Sequence, residues 1–186
     1  MNLKQLMVEV NAVTQHINNK DVDLVTQLIK EAKKLYVVGE GRSGLILKAF
    51  AMRLSRLEKL VYVVGETVTP PVGHGDLMIV VSGSGETKTV LQTAKIARML
   101  KSTIVVVTAE KNSSLAKISH KLVIIPAHLP KRLGSVYQLR ELVGVPERPP
   151  LASVFEIAAL LYLEVVAFKL DQLWSKKTKA RRLLPS

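Results

Sequence analysis

Leu77-Met-Ile-Val-Val-Ser-Gly-Ser-Gly-Glu-Thr87 is the stretch that decides the fold. Its first five residues are apolar without a break, short and rich in β-branching, which suits a strand buried on both faces of a parallel sheet. Gly83 and Gly85 then let the backbone turn so that its amides converge. Ser82, Ser84 and Thr87 add hydroxyls at the same place, and a helical pattern starting at Glu86 aims its positive end there. Strand, hydroxyl-bearing turn and helix start together make a cradle for a phosphate. A Walker loop is excluded, because no Gly-Lys-Ser/Thr follows the glycines.

Working outward, the same unit recurs. Strands are predicted at residues 35–38, 60–64, 77–81, 103–107 and 122–125, with helices at 43–57, 86–100 and 113–118. The crossover at 65–76 contains Pro70 and Pro71 and has room for a turn or two of helix at most. Apolar strands alternating with amphipathic helices give an α/β fold, a five-stranded parallel sheet with helices on both faces. Ligands of such sheets sit beyond the carboxyl ends of the strands, where the winding reverses, and the glycine loops 39–44 and 82–85 both fall at strand carboxyl ends. The whole chain reads as a single domain: N-terminal helices at 1–34, a βα core at 35–126, a loop at 127–150, a C-terminal helix at 151–175 and a basic tail at 176–186. In the N-terminal segment Leu3, Leu6, Met7, Val10, Val13 and Ile17 recur at helical spacing, and Asp21 is placed to cap the second helix. The loop is rich in proline and charge, and the final helix is apolar through Phe168, as for a buried or intersubunit helix.

Composition narrows the function. With 186 residues and 48% hydrophobic content, the chain can bury one full core. Charge interrupts every apolar run before it reaches the length that spans a bilayer, and the start has no signal-peptide pattern, which speaks against a membrane. Zero cysteines fit a cytoplasmic location and exclude thiolate chemistry. A net charge of +12 raises nucleic acid as a partner. Much of the excess, however, lies in Lys176-Lys-Thr-Lys-Ala-Arg-Arg182, and aromatics make up 4% with none interleaved among basic residues. A solvated tail and attraction for small anionic substrates account for the charge better.

Residues 39–44, Gly-Glu-Gly-Arg-Ser-Gly, match G-x-G-x-x-G between a strand and a helix, the context of a dinucleotide fingerprint. In that case Glu66, after the second strand, accepts from a ribose hydroxyl, and the chain is a dinucleotide-dependent oxidoreductase. Arg42 and Ser43 are polar where the fingerprint needs small residues, and residues 82–87 offer a second anion site. Two hydroxyl-lined loops on one crevice suit a single sugar phosphate better.

Four strings carry a family resemblance: Val38-Gly-Glu-Gly-Arg-Ser-Gly44, Lys48-Ala-Phe-Ala-Met-Arg-Leu54, Tyr62-Val-Val-Gly-Glu-Thr-Val-Thr-Pro70 and Ser82-Gly-Ser-Gly-Glu-Thr87. Over residues 35–170 the chain resembles the SIS (sugar isomerase) domain family and, within it, the 6-phospho-3-hexuloisomerases. The resemblance implies a flavodoxin-like sheet, a homotetramer, no metal and no cofactor. It also implies an isomerase converting D-arabino-3-hexulose 6-phosphate to fructose 6-phosphate, a step of the ribulose monophosphate pathway. By position, Ser43, Ser82, Ser84 and Thr87 are implied to hold the phosphate, with Gly41, Arg42, Gly83 and Glu86 completing the loops. Residues 151–163 resemble the family again and make Glu156 the implied enediol base. There are two departures. Glu40 stands where the family usually has Ala or Ser, and Ala180-Arg181-Arg182 replaces a terminal Ala-Arg-His.

Moving a carbonyl to the adjacent carbon needs a base for the intervening proton and donors for the enediolate oxygens. Glu156, in an apolar helix, suits the first task, though a first-turn acid is also favoured by the helix dipole alone. Of the histidines, His16 and His120 read as structural or exposed, and His74 precedes a strand on the wrong edge. His128, at a strand carboxyl end, is the one candidate for proton transfer. No pair has metal-ligand spacing. Glu66 and Thr67 are placed to touch sugar hydroxyls or to stabilise their turn, and Arg42 to hold substrate or to pair with Glu40 or Glu66. A non-catalytic sugar-phosphate-binding module remains the alternative from another class.

Overall fold

The computed structural model describes residues 2–129 and 153–182, with side chains of the second span at 154–175. Element order is α1 (Leu3–Thr14), α2 (Asn19–Glu31), β1 (Leu35–Val38), α3 (Gly41–Arg56), β2 (Val61–Val63), β3 (Leu77–Val81), α4 (Lys88–Met99), β4 (Thr103–Thr108), α5 (Ser114–Ile118), β5 (Lys121–Ile124) and, labelled α6 here, Ser153–Arg182. The five strands form one sheet in the order β2-β1-β3-β4-β5, every neighbouring pair parallel. The winding reverses between β1 and β3, which pair in register from Leu35↔Leu77 to Val38↔Val80. That is the flavodoxin-like order, and its switch point is where such sheets bind ligands.

Period-two alternation sends successive residues to opposite layers. Leu35, Val37, Ile79, Val81, Val105 and Val107 pack with α1, α2, α3 and α6 on one face. Tyr36, Val38, Met78, Val80, Ile104 and Val106 pack with α4 and α5 on the other. Both faces being covered explains why β1 and β3 read as continuous apolar runs. The β2–β3 crossover holds no helix. It is tied down from below instead, where Lys34 Nζ and the Tyr36 hydroxyl each donate to Pro71 O at 2.8 Å and Asp76 Oδ2 accepts from Gly73 N at 2.8 Å.

Three expectations change. Asp21 does not cap α2: the Asn18 side chain does, accepting from Lys20 N, because the helix starts earlier than its first apolar residue. Asp21 falls in the first turn and pairs with Lys121 at 2.7 Å. Leu3 and Met7 are 73% and 64% exposed, so the apolar stripe of α1 is wider than the surface this chain offers it. The backbone of α6 continues to Arg182, so residues 176–182 extend the helix rather than leave it as a tail. The loop expected at 127–150 lies outside the described residues beyond Leu129. Among the described residues no helix is long and apolar enough to cross a membrane.

Candidate functional site

Two loops meet at the switch point, and their glycines explain how closely. A Cβ on Gly39 would stand 3.0 Å from Val81 O, so the base of the first loop abuts the end of β3. One on Gly44 would stand 2.6 Å from Gly39 O, so the first turn of α3 folds back onto its own entry strand. In the second loop, Gly85 takes φ +63° and its amide donates to Ser82 O and Ser82 Oγ, at 3.1 and 3.2 Å. Ser82 is buried and its hydroxyl lies 3.1 Å from that of Thr87, the N-cap of α4. Because the Thr87 hydroxyl turns to Ser82, side-chain capping does not consume the first-turn N–H groups of α4. Free backbone donors at a helix start, together with the helix dipole, favour an anion.

The loops also reach each other. Thr89, in the first turn of α4, donates its hydroxyl to Glu40 Oε1 at 3.0 Å, joining the start of α3 to the start of α4. The carboxylate that departs from the family pattern is thereby engaged across the crevice rather than left at an anion site.

The start of α6 closes the third side. Phe155 Cδ1 lies 3.3 Å from where a Cβ on Gly83 would be, and the next residue, Glu156, is 9% exposed. Its Oε2 stands 2.7 Å from Nε of Arg42, the second residue of α3. A carboxylate taken this far from water needs a counter-charge, and Arg42 supplies it. The sequence offered Glu40 and Glu66 as partners for Arg42 and did not point to Glu156. Leu129 packs on Gly83 from the segment after β5, and its neighbour His128 is exposed.

Of the expected residues, Gly41, Arg42, Ser43, Ser82, Gly83, Ser84, Thr87 and Glu156 therefore belong to the two loops and the α6 start that meet here. Three lie apart. Glu66 is exposed and pairs with Lys48 at 2.8 Å, and that hydrogen bond and charge hold its carboxyl below the usual range. Thr67 is exposed in the turn after β2. Glu86 points outward, accepting from Ser114 N at 2.6 Å. Sequence reasoning missed Thr89 and Thr108, whose hydroxyl donates to Gly83 O at 2.9 Å. The signal for Thr108 was available, since it is a hydroxyl at the carboxyl end of β4. His120 is structural: its Nδ1 accepts from Ile104 N at 2.9 Å.

Comparison with known proteins supplies relatives for this geometry. The SIS domain family matches residues 28–138. An uncharacterized protein of Archaeoglobus fulgidus is 39% identical over 161 residues, spanning 83% of this chain and 84% of its own. The 3-hexulose-6-phosphate isomerase of Bacillus subtilis is 32% identical over 166 residues, spanning 89% of this chain and 85% of its own. A crystal structure of a Methanococcus jannaschii protein, from which a function of 3-hexulose-6-phosphate isomerase was inferred, aligns with a TM-score of 0.76 at 28% identity, covering 93% of this chain and 90% of that one.

Proposed function

The chain belongs to the SIS domain family, and we propose that it is a phosphosugar isomerase acting on 3-hexulose 6-phosphate. The reaction moves a carbonyl from C3 to C2 to give fructose 6-phosphate. The phosphate takes its hydrogen bonds from Ser43, Ser82, Ser84 and Thr87 and from the first-turn amides of α4. Glu156 removes the proton on C2, the C3 oxygen takes up the displaced electron pair, and an enediolate spans C2 and C3. A proton passes from the C2 hydroxyl to the C3 oxygen, and the proton held by Glu156 returns to C3 as the carbonyl forms at C2. In this reading Arg42 keeps the carboxylate oriented toward the sugar, and His128, exposed in the segment after β5, serves the sugar oxygens.

The observation that supports this most is the position of Glu156: a buried carboxylate, ion-paired with Arg42 on one glycine loop and next in sequence to Phe155, which packs against Gly83 of the other. Structural carboxylates of a helix first turn are normally solvated. This one is buried beside the two glycine loops. Glu66, which the dinucleotide alternative would use as its ribose acceptor, pairs with Lys48 on the surface.

The test is Glu156→Gln, which keeps shape and a hydrogen-bond acceptor for Arg42. Turnover of 3-hexulose 6-phosphate should fall by about 10²–10⁴-fold, the usual contribution of a general base. Calorimetric binding of fructose 6-phosphate should persist. Turnover within a few-fold of wild type removes Glu156 from the role of base.

We further infer a homotetramer in the cytoplasm. Leu161, Val165 and Phe168 form an exposed stripe on α6, with Phe168 62% exposed, and the exposed Leu3 and Met7 of α1 add a second apolar surface.

A further inference from the structure

The second loop is held from the side away from the crevice. The sheet order places β1 and the crevice on one flank of β3, and β4 on the other. From the β4 flank, Thr108 Oγ1 and Ala109 N both donate to Gly83 O, at 2.9 and 3.0 Å. Leu115 N donates to Gly85 O at 3.1 Å, and Ser114 N to Glu86 Oε1 at 2.6 Å. Ser113 fills the space beside Gly85, so that a Cβ there would come within 2.5 Å of its own.

These bonds have a directional consequence. A trans peptide is planar, and its carbonyl and the following N–H point in opposite directions. Drawing Gly83 O and Gly85 O toward β4 therefore turns the amides of Ser84 and Glu86 toward β1, into the crevice. There the Glu86 amide meets Ser84 Oγ at 3.3 Å. The β4–α5 segment acts as a clasp that aims the Ser84 amide, and through the Glu86 amide the Ser84 hydroxyl, before a ligand arrives.

We propose that Glu86 and Thr108 are positioning residues for phosphate capture: neither touches the substrate, and both fix the loop that does. Glu86 was a candidate for direct phosphate contact on sequence grounds, and a carboxylate is a poor partner for a phosphate. Its bond to Ser114 N gives it a different task. Thr108 is fully buried, so its hydroxyl has no solvent role to confuse the outcome. The assignment rests on the loop being the phosphate cradle of the proposed isomerase.

Glu86→Ala, Glu86→Gln, Thr108→Val and Thr108→Ser are to be compared for KM and kcat with 3-hexulose 6-phosphate, and for calorimetric binding of fructose 6-phosphate. Glu86→Ala and Thr108→Val should each raise KM and weaken binding by about tenfold, the size of one charge-assisted or buried hydrogen bond, with kcat little changed. The conservative Gln and Ser variants keep an acceptor and a donor and should restore wild-type KM. A lower melting temperature with unchanged KM assigns both residues to structure alone and overturns the proposal. So does a Gln variant as impaired as Ala, which would mean that the charge itself faces the ligand. Ser84→Ala separates the two levels of inference. If it weakens binding while Glu86→Ala and Thr108→Val do not, the clasp alone is refuted. If wild type neither binds nor converts the sugar phosphates, the isomerase reading falls and the clasp with it.

Discussion

Gly85→Ala measures how tightly the second loop is held, and its cost can be worked from two terms. The residue takes φ +63°, where an L side chain costs about 1–2 kcal/mol. The new methyl would also stand 2.5 Å from Ser113 Cβ and 3.2 Å from Thr108 Oγ1, and relieving such overlap adds about 1–3 kcal/mol. Restriction of the unfolded chain returns about 0.4–1 kcal/mol, leaving a net loss of about 1–5 kcal/mol. Gly65→Ala is the control, because Gly65 also has positive φ, +97°, but nothing lies within 4 Å of its added Cβ. It should show the backbone term without the overlap. Urea denaturation followed by circular dichroism gives both values, provided the slopes agree. In the Gly85→Ala background, Ser113→Gly removes the obstructing side chain and should recover the overlap term. The recovery is reduced by the few tenths of a kcal/mol that glycine costs at an N-cap, since Ser113 caps α5. A Gly85→Ala variant no less stable than Gly65→Ala, or a double variant with no recovery, would refute the packing described for this loop.

Three other outcomes are expected. Arg42→Ala leaves the buried Glu156 without its guanidinium, and should cost about 1–3 kcal/mol in stability and lower kcat, whereas Arg42→Lys should retain part of both in urea and turnover measurements. Partial desolvation, together with the Arg98 charge, holds His120 below the ordinary histidine range, and its neutral Nδ1 is the acceptor for Ile104 N. A lowered folded pKa gives stability that is complete above about 6.5, the unfolded value, and is lost as pH falls through the folded one. Wild type should therefore lose melting temperature more steeply than His120→Asn on acidification below pH ~6, and parallel curves would remove the effect. Phe168→Glu places a charge on the exposed apolar stripe of α6 and should lower the solution mass seen by light scattering without lowering helicity; an unchanged mass dissociates the stripe from assembly.

The sheet was readable because its signal is local and strong: β1 and β3 are apolar on both faces, and each runs into glycine. The hydroxyl-bearing loop after β3 was readable for the same reason, since Ser82, Ser84 and Thr87 lie within six residues of one another. Pairings across the chain were not. Nothing in the periodicity around Arg42 points to Glu156, and Glu40 gives no sign of Thr89, because only the crossover geometry brings them together. Glu86 was misplaced for a related reason. Membership of a loop is visible in sequence, but the side on which a residue leaves that loop is set by the neighbouring strand. The cluster of like charges at 176–182 reads as a solvated tail or a solvated helix end, and the backbone is helical there, as lysine and arginine are good helix formers favoured at a helix carboxyl end.

The rims of the sheet bear on how the protein behaves when concentrated. β2 contributes three residues and β5 four, and Lys121 on β5 is drawn to Asp21 of α2. Unpaired amides and carbonyls on an outer strand invite another chain to add on, and brevity and lysine are two of the ways that proteins discourage it. Clumping by strand addition therefore has little template here, and crowded solutions should stay clear of fibres as long as the fold holds.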